Sequence, residues 1–223
     1  MSYLGSEVLH GVRAEVRFGA LSLLTGPSGS GKTTFLNLVG ALDRPDSGSI
    51  EVAGVDVNGL RGRERSGFRA GLGLVFQRSG LIRGLTAWEN IEVPHVLAGH
   101  AVDREWVRKL AAELGVTDVL DQSSQTLSGG QAQRVAVIRA LAHRPKVVLA
   151  DEPTASVDSD SKTAIHAVLK SACRSEGAAV LLVSHEPMSV EFADVTLTME
   201  GGRIVPTKAE GEVDGRFVRR WRR

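Results

Sequence analysis

The chain has a single cysteine, Cys173, in 223 residues. That excludes a disulfide framework and a multi-cysteine zinc site. No apolar run approaches the roughly 18 residues that a membrane span needs, and the longest strongly apolar stretch covers only residues 178–183. The first eleven residues have no basic segment followed by an apolar one, so no secretory signal is expected. Net charge is almost absent: 27 Lys and Arg stand against 26 Asp and Glu, a net +1. That balance argues against a dedicated nucleic-acid binder. With 42% hydrophobic residues, the signature of a disordered chain is missing too. An ordinary globular protein of one large domain is expected. Its charge is uneven, however. Residues 216–223 carry five arginines and no acid, so the net +1 splits into +5 there and −4 in residues 1–215.

Strand-like and helix-like segments alternate along the chain. Val12, Ala14, Val16 and Phe18 alternate with Arg13, Glu15 and Arg17, the period of a half-buried strand. Residues 20–25 read as a short apolar strand, then a glycine-rich turn leads to a helix over 32–42. Residues 50–57 read as a hairpin turning at Ala53-Gly54, and 72–76 as a further strand. Residues 86–143 are helical in pattern. Asp103 is a ready N-cap for a helix with Val107, Leu110, Ala111 and Leu114 on one face, ended by Gly115. A second helix spans 131–143, stopped before Pro145. Buried strands follow at 147–150 and 179–183, with a helix over 161–175 between them. The expected fold is α/β: a mainly parallel sheet, antiparallel β elements near the N-terminus and an inserted helical subdomain. The core is expected over 1–85 and 144–205, the insertion over 86–143, and a basic tail over 206–223.

Residues 26–34 read Gly26, Pro27, Ser28, Gly29, Ser30, Gly31, Lys32, Thr33, Thr34 and fit the pattern of a phosphate-binding loop. Glycines let the backbone fold into a nest whose N–H groups point at phosphate oxygens. The following helix turns its positive end toward the same anion. Lys32 adds a point charge for the β and γ phosphates, and the Thr33 hydroxyl suits a Mg²⁺ ion. The strand before the loop and the helix after it supply the context that a chance Gly/Ser turn lacks.

A second constellation is Asp151-Glu152, at the end of the apolar strand 147–150. Ligands of open α/β sheets bind at the carboxyl ends of strands. Asp151 is therefore a candidate Mg²⁺ holder, and Glu152 a candidate for polarising the attacking water. By itself the pair is an ordinary surface feature; the phosphate loop upstream changes that reading. Leu127-Ser128-Gly129-Gly130-Gln131 opens the helix over 131–143 and repeats the same logic of glycines, hydroxyl and helix end. Its plain reading is a capped helix, yet one phosphate needs only one cradle.

Over nearly its whole length the chain resembles the ATP-binding cassette (ABC) ATPase domain of transporters, above all in the Leu-Ser-Gly-Gly-Gln run ahead of the Asp-Glu pair. The resemblance implies a P-loop NTPase core, ATP and Mg²⁺ as cofactors, and head-to-tail pairing of two copies. In that pairing Ser128, Gly129, Gly130 and Gln131 cap the ATP held by the partner's Lys32 loop. It implies that Gln77 contacts Mg²⁺ and senses the membrane partner, that His185 holds the γ-phosphate and orients Glu152 with the water, and that Asp158 links the two sites. Tyr3 is the only candidate for stacking on adenine, and the family carries more residues ahead of that aromatic. The runs Leu36 to Gly48 and Leu85 to Ile91 look like the subgroup of lipoprotein-release, macrolide-export and cell-division ATPases. Val157, Ile138 and Ala132 depart from the family pattern without removing a catalytic group.

The implied function is ATP hydrolysis driving a separate transmembrane permease, in the cytoplasm against the inner face of the membrane. A nucleotide-dependent scaffold of a membrane complex shares every motif and stays open. A non-transport ABC ATPase on nucleic acid or ribosomes is disfavoured, because 50 residues between Gln77 and Ser128 are too few for a long coiled coil. The tail reads either as a solvated end or as a contact to an anionic membrane surface. Arg61, Arg63, Arg65 and Arg69 read as an exposed face rather than a nucleic-acid site.

Overall fold

In the computed structural model, residues 2–3, 6–99 and 101–205 are described. The basic tail at 206–223 lies outside them, as does the side chain of Tyr3. The chain opens with a two-strand turn, β1 (Ser2–Tyr3) and β2 (Ser6–Glu7), and enters the core at β3 (Leu21–Thr25). Helix α1 (Lys32–Val39) follows, then the hairpin β4 (Glu51–Val52) and β5 (Val55–Asp56), helix α2 (Gly62–Ala70) and β6 (Gly73–Val75). Three helices come next: α3 (Ala87–Ala98), α4 (Arg104–Glu113) and α5 (Gly129–Leu141). The chain then returns through β7 (Val147–Asp151), α6 (Ser159–Glu176), β8 (Ala179–Val183), α7 (Pro187–Phe192), β9 (Val195–Glu200) and β10 (Arg203–Val205).

The central sheet has the order β10-β9-β3-β8-β7-β6. All its pairings are parallel except β9 with β10. Every residue of β7 and β8 is buried, as expected for strands covered on both faces. Their side chains divide by the two-residue period of a strand. Val148, Ala150, Val180 and Leu182 join the apolar cluster of α3 to α6. Val147, Leu149, Ala179 and Leu181 join the cluster of α1 and the hairpin.

The register sets up the chemistry. Val183 of β8 lies level with Leu24 of β3 on one side and Asp151 of β7 on the other. Adjacent strands therefore end together, and the loops starting at Gly26, Glu152 and Ser184 leave the same carboxyl edge. The candidate site is assembled there.

Several expectations need correction. Residues 12–18 do not form a strand. Val12, Ala14 and Val16 are half-buried and alternate with exposed neighbours, but Phe18 is exposed. No ladder partner is present among the described residues, and the hairpin β4–β5 pairs only with itself. Between them lies a cavity of ≈ 430 Å³ lined by Val12, Val16, Phe35, Ile50 and Leu149. Helix α1 ends at Val39 rather than residue 42, because Ala41 turns to φ 54° and Leu42 N donates to Asn37 O. Helix α5 begins at Gly129 and ends at Leu141, two residues earlier at each end than expected, because Ser128 is its N-cap. Helix α6 runs from Ser159 to Glu176, not 161–175, with Asp158 as its cap. The sequence reading missed α2, which buries no residue, and also α7, β9 and β10.

Candidate functional site: a phosphate loop facing an acidic strand end

The phosphate loop joins β3 to α1. Gly31 is the N-cap of α1 at φ 103°, and no side chain caps the helix. The first-turn N–H groups of a helix have no intrahelical partners, so this end is set up for an anion. Glycine is required here partly by the chain itself. A Cβ on Gly26 (φ 143°) would collide with the Met199 carbonyl of β9, and one on Gly31 would sit 2.7 Å from Leu9. Lys32 is buried, and its Nζ donates to the carbonyls of Gly26 at 2.8 Å and Pro27 at 2.9 Å. Its charge is thus held at the mouth of the loop.

Across from the loop stands the acidic pair. Thr33 Oγ1 donates to Asp151 Oδ2 at 2.9 Å, tying α1 to the end of β7. The other carboxylate oxygen, Oδ1, is buried without a hydrogen-bond partner, and so is Ser30 Oγ. Burial pushes the Asp151 carboxyl above its ordinary range; the Thr33 hydroxyl pulls it down, Glu152 pushes it up and Lys32 pulls it down. A buried carboxylate with one orphaned oxygen beside a free-lone-pair hydroxyl fits a small dication. No group of three or more His, Cys, Asp or Glu is gathered for a metal among the described residues. Such a site suits Mg²⁺, which takes few protein ligands together with substrate phosphates.

Glu152 adopts φ 46°, a conformation that non-glycine residues rarely take. Strain of this kind collects at functional positions. Its N–H donates to Val183 O at 2.9 Å, and its carboxylate meets His185 Nδ1 at 2.9 Å. A carboxylate only accepts, so Nδ1 carries the proton in this contact. Ser28, Gly29, Lys32, Thr33, Thr34, Gln77, Asp151 and Glu152 line one cavity of ≈ 420 Å³. Gln77 reaches it from the end of β6, and the preceding Phe76 carbonyl accepts from Gln133 Nε2 of α5 at 2.9 Å.

The Ser128 loop does not line this cavity. Ser128 and Gln131 instead cap α5 reciprocally: Ser128 Oγ accepts from Gln131 N at 3.2 Å, and Gln131 Oε1 accepts from Ser128 N at 2.9 Å. Asp158 likewise caps α6, accepting from Ser161 N and Oγ, and these bonds hold its carboxyl below the usual range. For Ser128 this is the capped-helix reading of the sequence, realised within a single chain, and Asp158 plays the same part at α6.

The model of the ABC transporter family matches residues 9–155 of this chain. The chain belongs to the ABC transporter family. It is an ATP-binding subunit of that family and an ATPase. Among its relatives, the lipoprotein-releasing system ATP-binding protein LolD of Anaeromyxobacter dehalogenans is 42% identical over 207 residues, covering 89% of this chain and 84% of that one. LolD of Porphyromonas gingivalis is 37% identical, covering 91% and 94%. Among solved structures, the ABC transporter cassette MJ0796, described as dimeric and bacterial, superposes with a TM-score of 0.83 at 32% identity, covering 88% of each chain. A post-hydrolysis dimer of the same cassette, with ADP and Pi bound, gives 0.82 at 34% identity over 91% and 92%.

Reasoning from sequence passed over three residues of this ABC ATPase that the fold brings beside Glu152 and His185. Thr154 Oγ1 donates to Glu186 Oε2 at 3.0 Å, and Lys162 Nζ to Glu186 Oε1 at 2.6 Å. Position was the available signal, since Thr154 stands two residues after Glu152 and Glu186 directly follows His185.

Proposed function

We propose that this chain is the motor of a transporter whose membrane-spanning permease is a separate protein. Two copies close head to tail on two ATP molecules, and each Ser128 loop covers the nucleotide held by the partner's Lys32 loop. The uncapped start of α1 and the Lys32 charge bind the β and γ phosphates. Thr33 and Asp151, with Gln77, hold Mg²⁺, which when bound neutralises phosphate charge. Glu152 accepts a proton from the attacking water through its carboxylate, and His185 orients that carboxylate through Nδ1. Catalysis is then positioning plus charge stabilisation. Ile82, Val96 and Leu97 are exposed apolar residues, and Asn90 of α3 ties Ile82 to that helix at 2.6 Å. They support permease docking beside Gln77, and hence a place at the inner face of the membrane.

The observation that carries this reading is the His185–Glu152 contact at the rim of the phosphate-loop cavity. Glu152→Gln is the test. Turnover should fall by about 10²–10⁴-fold, as for loss of a general base, while ATP binding persists and ATP holds the variant as a dimer. Hydrolysis near the wild-type rate would overturn the assignment.

A further inference from the structure

The end of β7 and the loop that carries His185 are tied at more than the His185–Glu152 contact. The backbone bond Glu152 N to Val183 O, at 2.9 Å, joins their roots. Beyond them, Thr154 Oγ1 donates to Glu186 Oε2 at 3.0 Å. Thr154 is fully buried, so its hydroxyl has no ready solvent alternative. The second oxygen of Glu186 accepts from Lys162 of α6 at 2.6 Å, with the two side chains 14% and 29% exposed. The backbone of Glu186 is fixed as well. Its N–H donates to Ser184 Oγ at 3.1 Å. Ser184 Oγ lies 2.8 Å from Ser189 Oγ, which lies 2.8 Å from His166 Nε2. His166 Nδ1 donates to the Lys162 carbonyl at 2.8 Å, so these contacts close a ring between α6 and the loop after β8.

We infer that Glu186 is a positioning residue of the ATPase: through Thr154 and Lys162 it locks the Glu152 loop, the His185 loop and α6 into one body. This rests on the function proposed above. There, His185 orients the Glu152 carboxylate through Nδ1, so the loops that carry the two residues must keep their relative position. The His185 side chain is exposed and makes a single contact, whereas the Thr154–Glu186–Lys162 bridge is largely buried and ties the same loops at a second point. The bridge matters for Glu152 in particular, whose φ of 46° persists only where its surroundings hold it. Lys162 lies four residues beyond Asp158, so the same bridge links the hydrolytic pair to the start of α6.

The test is Glu186→Ala, with steady-state kinetics and fluorescent-nucleotide titration on the purified full chain. Misplacing a catalytic group by about 1 Å costs up to about 100-fold in rate. We expect kcat, counted per nucleotide-bound site, to fall between about 10- and 100-fold, with KM and ATP affinity within about twofold. Glu186→Gln keeps an acceptor for Thr154 and should recover part of the rate. Adding Lys162→Met to Glu186→Ala should cost nothing further, because the two act as one unit. A kcat per bound ATP unchanged in Glu186→Ala would overturn the inference. So would a loss confined to melting temperature and the fraction able to bind ATP, which is what a purely structural role produces. Should Glu186→Ala fail to fold, the partly exposed Lys162→Met carries the same prediction and the same refutation. Glu152→Gln in parallel separates the two ideas. If it is inactive while Glu186→Ala is normal, only the positioning role falls; if it hydrolyses ATP normally, the underlying assignment falls.

Discussion

Two glycine-serine loops introduce helices in this protein, and they are finished differently. At α1 the glycines answer to their own chain: Gly26 clears the Met199 carbonyl and Gly31 clears Leu9. The helix end is left without a side-chain cap, and the cavity with Asp151 and Glu152 lies before it. At α5 the opposite holds. Ser128 and Gln131 cap the helix reciprocally, a Cβ on Gly129 would meet nothing within 4 Å, and Gly130 would make only ordinary contact with Val157. Nothing within the chain requires glycine at 129. The phosphate loop is an uncapped helix start that faces a cavity of its own chain. The Ser128 loop is a satisfied helix start, and in the proposed pairing its glycines would face the second copy.

The hardest way to break this comparison is to remove the charge at the open loop. Lys32 Nζ is held by two carbonyls, ready for an anion. A hydrogen bond to a charged group contributes about 1.5–3 kcal/mol, so Lys32→Met should lower ATP affinity on the order of 100-fold. Titration with a fluorescent ATP analogue measures it. An affinity within twofold of wild type would mean that the uncapped helix end suffices alone.

The glycines sharpen the contrast through stability. Gly26→Ala forces a Cβ onto the Met199 carbonyl at a φ of 143°, and should destabilise the fold by about 2–3 kcal/mol. Gly129→Ala adds a good helix former to the first turn of α5 in open space, and should stabilise by up to about 1 kcal/mol. Urea unfolding of the two variants measures both. Equal and opposite roles would be lost if the two alanines destabilised alike.

The residues that gather at the candidate site stand in short motifs at strand ends; the Asp-Glu pair took its reading from the phosphate loop upstream, and His185 took its reading from the family resemblance. The strands β7 and β8 were legible because residues 147–150 and 179–183 are apolar without a break, as strands covered on both faces are. Residues 12–18 misled because a period of two reports which side chains are half-buried, not whether a neighbouring backbone completes a ladder. The edge strand β10 and the half-exposed β9 carry mixed residues and give little periodic signal. Helix α2 was hidden because only Phe68 packs it onto the core, half-buried, and because it holds Gly62 and Gly67. Position beside Glu152 and His185 marks Thr154 and Glu186 in the sequence, but their bridge to each other and to Lys162 forms only after α6 and β8 fold past one another.

The smallest expected effect concerns the far ends of the same two helices. Past α1, Arg65 donates to the carbonyls of Ala41 and Asp43, so that end is well satisfied. Past α5, Trp106 Nε1 donates to Leu141 O, but the next polar side chain is His143, whose two ring nitrogens are sealed from solvent and make no hydrogen bond of ordinary geometry. Its ring stands edge-on to His95 of α3 at 5.8 Å. Burial, and then the neighbouring His95, push the His143 pKa below its ordinary 6.5 against a smaller opposing pull from the Gly71 backbone. The folded state thus takes this proton less readily than the unfolded chain. The contribution to stability is complete above pH 6.5. It is lost as pH falls from there to the lowered folded value, and is flat below that. His143→Phe fills the site without a titrating group and should flatten that part of the profile. Each pH unit within the window is worth at most about 1.4 kcal/mol. Urea unfolding of both proteins at pH 7.5 and 5.5 measures the difference, and the wild type should lose more on acidification. Equal losses would mean that His143 is as readily protonated in the fold as outside it, and that the end of α5 is no less satisfied than the end of α1.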